Sequence, residues 1–257
     1  MKILRSVFLI INYKTFIITV LSIAATWGCF QLNFRADFPL TLIGIAIVFP
    51  VVFSIDSAYK RRERALTYIS EFKAHSLCLY LSAKDWVKRD EKFCEDMKND
   101  LIELYDKLQK VSIKYKAGKG IFEKEIYPVF SKLSDTIQKF RGLGLPAGEV
   151  SRVNQYQSKI NVSIENLRVI LDYRTPVTLR AYSLIFIYSF PILYAPYFVY
   201  ASESYSKGLE YMMPIVFSFI LVSLDNIQDH LENPFDQVGE DDIQFNVDEF
   251  KDMLTKA

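Results

Sequence analysis

The 257-residue chain has few of the residues on which most enzyme chemistry depends. Its two histidines, His75 and His230, lie far apart in sequence and are not spaced as a metal or acid–base pair. Its three cysteines, Cys29, Cys78 and Cys94, are odd in number and form no CxxC pair. That argues against a disulfide framework and for reduced thiols. Only nine glycines are present, and Gly118-Lys119-Gly120 lacks the Walker spacing. Gly142 and Gly144 follow a helical pattern rather than a strand, so both glycine pairs read as helix stops. No Ser/His/Asp or Cys/His spacing marks a nucleophile, and an enzyme is not expected. A net charge of +1 supplies no global basic field, which argues against nucleic acid as a partner.

Charge is also missing locally. The chain is 24 % charged, yet residues 15–34, 38–55, 181–202 and 211–224 contain no Asp, Glu, Lys or Arg. A soluble domain scatters its charges more evenly. About 20 apolar residues are needed to cross roughly 30 Å of hydrocarbon as a helix. Three of the windows reach or approach that length, and the fourth needs its flanking residues. The expected organisation is an all-α membrane protein with four transmembrane helices. Spans 1 and 2 (about 13–34 and 38–56) fall within 1–60, a helical cytoplasmic domain occupies 61–177, and spans 3 and 4 fall within 178–226. An acidic cytoplasmic tail, 227–257, follows. The first apolar run is longer than the 7–15 residues of a signal peptide, and Trp27 sits where a lipoprotein cleavage site wants a small residue.

Basic residues set the orientation. Lys2, Arg5 and Lys14 flank span 1; Lys60, Arg61, Arg62 and Arg64 follow span 2; Arg168, Arg174 and Arg180 precede span 3. The loops within each pair of spans hold only Arg35 and Lys207. By the positive-inside rule both termini and the long polar stretch are cytoplasmic, in a multi-pass protein of the cell membrane. From Asp225 onward ten acidic residues face only Lys251 and Lys256, a local charge of −8.

The polar stretch reads as helix throughout. Phe93, Met97, Leu101, Leu104, Leu108 and Val111 recur every three or four residues. Phe122, Ile126, Val129, Leu133, Ile137 and Phe140 repeat the pattern, and Gly142-Leu143-Gly144-Leu145-Pro146 ends it. A further helix from about Gly148 carries Val150, Val153, Ile160, Ile164, Leu167 and Leu171. Prolines punctuate the spans. Pro39 and Pro214 lie near span starts, whereas Pro50, Pro191 and Pro196 lie inside, where each removes a backbone hydrogen bond. Such breaks persist in a membrane where protein or a water-filled cavity satisfies the freed carbonyls.

The run Phe38–Arg64, FPLTLIGIAIVFPVVFSIDSAYKRRER, resembles the second transmembrane helix of bacterial bestrophin-family proteins and its cytoplasmic exit. Pro39, Thr41, Leu42, Gly44, Ile45, Ala46, Phe53, Ala58, Tyr59 and Arg61 match that pattern without a gap. Arg174-Thr175-Pro176 followed by Tyr182 is similar to the family's entry to the third span. Glu232-Asn233-Pro234-Phe235 with Asp241-Asp242-Ile243 is similar to its Asn-Pro-Phe-Gly motif and acidic cluster after the fourth. The chain departs from the pattern where Arg62 and Glu63 replace a Trp pair, Asp56 an Asn, and Asp236 a Gly; Pro50 is a further difference.

The resemblance implies a bestrophin-like ion channel: a homopentamer that conducts ions passively, anions such as chloride by family, through a pore lined by the second helices. It implies a narrow neck of large apolar residues four positions apart, here Ile45, Phe49 and Phe53. In the family, carboxylates and carbonyls of the tail motif form a calcium clasp, which would engage Asn233, Glu240, Asp241 and Asp242. The partners implied are further copies of the chain, the lipid bilayer and inorganic ions, with no other cofactor.

Read as residues alone, positions i, i+4 and i+8 lie along one helix face. Several copies would stack Ile45, Phe49 and Phe53 into apolar rings, and a hydrophobic constriction gates by dewetting. The same side chains also suit a lipid-facing surface. Asp56 follows Phe53 by three residues and is the candidate for selectivity, since a ring of carboxylates attracts cations and repels chloride. Alternatively it caps a helix or pairs with Lys60 or Arg61. The tail reads equally as a solvated acidic segment packed on basic helices. Beside the channel stand a non-conducting membrane scaffold or signalling protein whose cytoplasmic helices bind a partner, and a small-solute transporter.

Overall fold

The computed structural model describes residues 11–87, 90–115, 120–173, 176–205, 209–237 and 242–257. Among them every regular element is a helix: α1 (Tyr13–Gln31), α2 (Leu40–Asp85), α3 (Glu91–Ile113), α4 (Ile121–Gly142), α5 (Ala147–Asp172), α6 (Val177–Leu193), α7 (Ala195–Tyr205), α8 (Leu209–Glu232) and α9 (Val247–Lys256). The chain forms two compact units. The first comprises residues 1–60, 175–233 and 238–241, and the second 61–174, 234–237 and 242–257. The 46-residue α2 contributes to both.

The second unit is a helical bundle with an apolar core. Each periodic position of α3, from Phe93 to Val111, is buried, as is each one of α4 and of α5. Phe72 and Leu79 of α2 join them, together with Phe235, Phe245, Phe250 and Leu254 from the C-terminal segments. Local chemistry fixes the ends. Asp90 caps α3 by accepting from the Phe93 N–H at 3.0 Å, and Asn246 caps α9 by accepting from the Glu249 N–H at 3.0 Å. After α4, Gly144 takes φ +81°, a left-handed conformation that glycine adopts with least strain. Outside the core, α3 and α4 are laced by charge: Lys139 with Asp96 at 3.1 Å, Lys132 with Asp100 at 3.0 Å and Glu103 at 2.6 Å, and Lys107 with Glu125 at 2.9 Å. Arg168 of α5 pairs with Glu123, and Tyr115 donates to Asp172.

The first unit packs α1, α6, α7, α8 and the start of α2. Its apolar core is small, built on Ile47, Val51, Ile187, Phe190, Phe198, Leu221 and Val222. Tyr13–Gln31 and Tyr211–Glu232 are each long and apolar enough to cross a membrane, by length and composition. These are the expected first and fourth spans. The expected second span is the opening stretch of α2, which runs unbroken past Pro50.

The expected third span is two helices rather than one. Pro196 has no N–H to offer the Ile192 carbonyl, and α6 stops at Leu193 before α7 starts at Ala195. Beside the break, the Pro191 carbonyl accepts from the Ser22 hydroxyl of α1 at 2.6 Å, a hydrogen bond supplied by a neighbouring helix. Pro214 lies inside α8 rather than at its start, because the helix begins at Leu209.

Candidate functional site

The first stretch of α2 has two faces. At 3.6 residues per turn, Ile47, Val51, Ser54 and Ala58 lie within about 60° of one another. All four are buried in the subunit. The opposite face carries Ile45, Phe49 and Phe53, about half exposed at 48 %, 57 % and 59 %, with Val48 and Val52 beside them. The Phe49 and Phe53 rings stack with centroids 6.1 Å apart, which stiffens the exposed edge. All three residues expected to form a neck therefore sit on the side of α2 that its own subunit leaves bare.

Asp56 falls in the same arc, about 20° from Ile45 around the axis. Its carboxylate accepts from the Lys60 ammonium at 2.7 Å, an i,i+4 pair in which both side chains are exposed. Of the two cations considered as partners, Arg61 is placed elsewhere: it donates to the carbonyls of Ile170 and Tyr173, at the end of α5. Arg61 thus caps a helix whose last carbonyls have no intrahelical donor.

A second polar feature escaped the sequence reading. Asp225, Asp229 and Glu232 recur at i, i+4 and i+7, on one face of α8. Arg180 of α6 pairs with both Asp229 and Glu232. Lys14 of α1 lies 3.3 Å from Asp229 and 3.8 Å from Asp225. The Tyr188 hydroxyl donates to Asp225 at 2.5 Å, and the Asn12 amide donates to Asn226 at 2.7 Å. Asp225 and Glu232 are 2 % and 3 % exposed, so these charges are interior. Counted along the sequence, the acids had read as part of a tail and the bases as topology signals. The signal available was the four-residue spacing of carboxylates directly behind an apolar window.

The tail residues proposed for calcium fall only partly within the described residues. Glu240 and Asp241 lie outside them; Asn233 and Asp242 are half-buried. The chain here closes on its own hydrogen bonds, the Ile243 N–H donating to the Pro234 carbonyl at 2.8 Å and the Gln237 amide to the Ile243 carbonyl at 3.0 Å. Among the described residues no three His, Cys, Asp or Glu side chains are grouped so that they could hold a metal ion. Arg174 and Thr175 of the third-span motif also lie outside the described residues, while Pro176 caps α6 and the Tyr182 ring packs on Phe186. Phe235 of the Pro-Phe pair is fully buried in the second unit.

No known family pattern and no curated protein matches the sequence. Solved structures do match in fold. A bacterial bestrophin homolog from Klebsiella pneumoniae superposes with a TM-score of 0.79 at 14 % identity, over 95 % of this chain and 97 % of that one. Two variants of it give TM-scores of 0.81 at 15 % identity and 0.80 at 14 %, again over 95 % of this chain and at least 97 % of theirs. The chain thus has the bestrophin-homolog fold, shared along almost its whole length.

Proposed function

We propose that several copies of this chain, five by analogy with the fold, assemble around an axis as a passive ion channel. The first stretch of α2 lines the path, and Ile45, Phe49 and Phe53 form its apolar neck. One observation carries the reading: the aromatic face of α2 is bare in the subunit and diametrically opposite the face that packs. In a chain of this fold, a face of that kind fits a lining shared by neighbouring copies. A single subunit encloses too little space for a pore, so the reading requires an oligomer.

The neck works by exclusion. A hydrated ion entering a ring of Phe side chains loses water to surfaces that offer no hydrogen bond in return, so passage is set by ring diameter and wetting. Both termini and the second unit lie on the cytoplasmic side, following the distribution of basic residues. In this reading ions such as chloride move down their gradient and no bond is made or broken.

The mass of the detergent-solubilised complex is the test. With 29.9 kDa per chain, five copies give about 150 kDa of protein. A monomer or dimer removes the pore. Reconstitution in liposomes separates the alternatives: a channel conducts without a coupled gradient, a transporter saturates, and a scaffold passes nothing.

A further inference from the structure

Building on the pore reading, we propose that Lys60 is a selectivity-determining residue, which cancels the Asp56 carboxylate at the inner end of the neck.

Around the α2 axis, Ile45, Phe49 and Phe53 span an arc of about 80°, and Asp56 and Lys60 both fall inside that arc. The packed face of the helix, marked by Ile47, Val51, Ser54 and Ala58, is on the other side. A path that runs past the neck residues therefore meets Asp56 and Lys60 next. The Lys60 ammonium donates to Asp56 at 2.7 Å, and both side chains remain open to solvent in the subunit, at 64 % and 45 %. Among the described residues Lys60 is the cation paired with Asp56, while Arg61 reaches the carbonyls ending α5.

A ring of bare carboxylates below an apolar neck would favour cations. A ring in which each carboxylate is matched by an ammonium one turn away carries no net charge and leaves the discrimination to the apolar rings above it. The two substitutions must then act with opposite sign. Lys60→Gln bares the carboxylate and favours sodium over chloride; Asp56→Asn bares the ammonium and favours chloride. One unpaired unit charge at about 4 Å from an ion changes its occupancy about fivefold even in bulk water, so each variant shifts the permeability ratio by about that factor or more. The double variant Asp56→Asn/Lys60→Gln has neither charge and returns to the wild-type ratio.

The experiment is the reversal potential of the purified oligomer in planar bilayers under a sodium chloride gradient, for wild type, both single variants and the double variant. Opposite shifts that cancel in the double variant support the assignment. Conducting channels whose four ratios coincide overturn it while leaving the pore reading standing, and so do two shifts of one sign. A wild-type oligomer that passes no current overturns the pore reading itself, and this assignment with it. The mass of each variant complex separates an altered filter from a lost assembly.

Discussion

In the unit made of residues 61–174 with the C-terminal segments, Phe72, Leu104, Ile137 and Phe140 are sealed inside and the charges of Lys107, Lys132 and Lys139 lie outside. In the other unit the arrangement is inverted. Phe16, Trp27, Phe49 and Phe53 stand outside, while Ser22, Thr26, Asp225 and Glu232 are inside. Among the described residues, twelve of the eighteen buried polar or charged side chains belong to that unit. The lesson concerns the solvent. Water rewards the burial of apolar area. A bilayer gives no such reward, so helices there associate through small residues, hydrogen bonds and paired charges.

The largest effects should come from the interior charges of the first unit. Arg180→Ala strands Glu232, which is 3 % exposed, and Asp229 beside it. Removing one partner of a buried ion pair costs about 3–5 kcal/mol. The thermal unfolding midpoint of the solubilised protein should fall steeply, and a fall of a degree or less would break the contrast from the polar side.

Phe140→Ala probes the other unit. Phe140 is fully buried and meets Phe93 edge-on at 4.9 Å. Its truncation should cost about 3–5 kcal/mol through lost burial and a cavity. Phe16→Ala, at a position 73 % exposed in the first unit, should stay within about 1 kcal/mol. Equal costs at the two positions would mean that the outer face of α1 is covered by something other than lipid.

Smaller still is the expected effect of the surface ion pairs. Lys139→Ala removes a half-exposed partner of Asp96 and should cost about 0.2–1 kcal/mol, a loss that added salt hides. The smallest effect concerns His75, whose pKa burial holds below its ordinary value, with Lys159 adding to the shift. A lowered folded value means that the unfolded chain binds the proton more readily, so stability falls as pH drops through about 6.5 and below. His75→Gln should slightly reduce the loss of stability between pH 7.5 and 5.5; an unchanged difference would remove His75 from the acid response.

Much of the second unit was legible because water writes it as a period. Leu101, Leu104 and Leu108 share a helix face in the sequence and are buried together in the fold. The break at Tyr194 was only half legible. Pro191 and Pro196 announced that hydrogen bonds would be lost, but not that the Pro191 carbonyl beside the break accepts from Ser22, 169 residues away. The charge cluster was missed for the same reason. Lys14, Arg180 and Asp229 are joined only by tertiary packing, and each alone has an ordinary role as a flanking charge. Ile45, Phe49 and Phe53 were legible as one face. Their exposure had to come from the fold, since lipid and pore linings favour the same apolar residues.

The central claim is that the bare aromatic face of α2 constricts a shared path. Chloride efflux from liposomes containing wild-type protein or Phe49→Ala/Phe53→Ala, at matched amounts of intact oligomer, tests it most directly. The account predicts that the double substitution widens and wets the neck, so that efflux rises well above wild type. Efflux unchanged, with the oligomer still assembled, would contradict it.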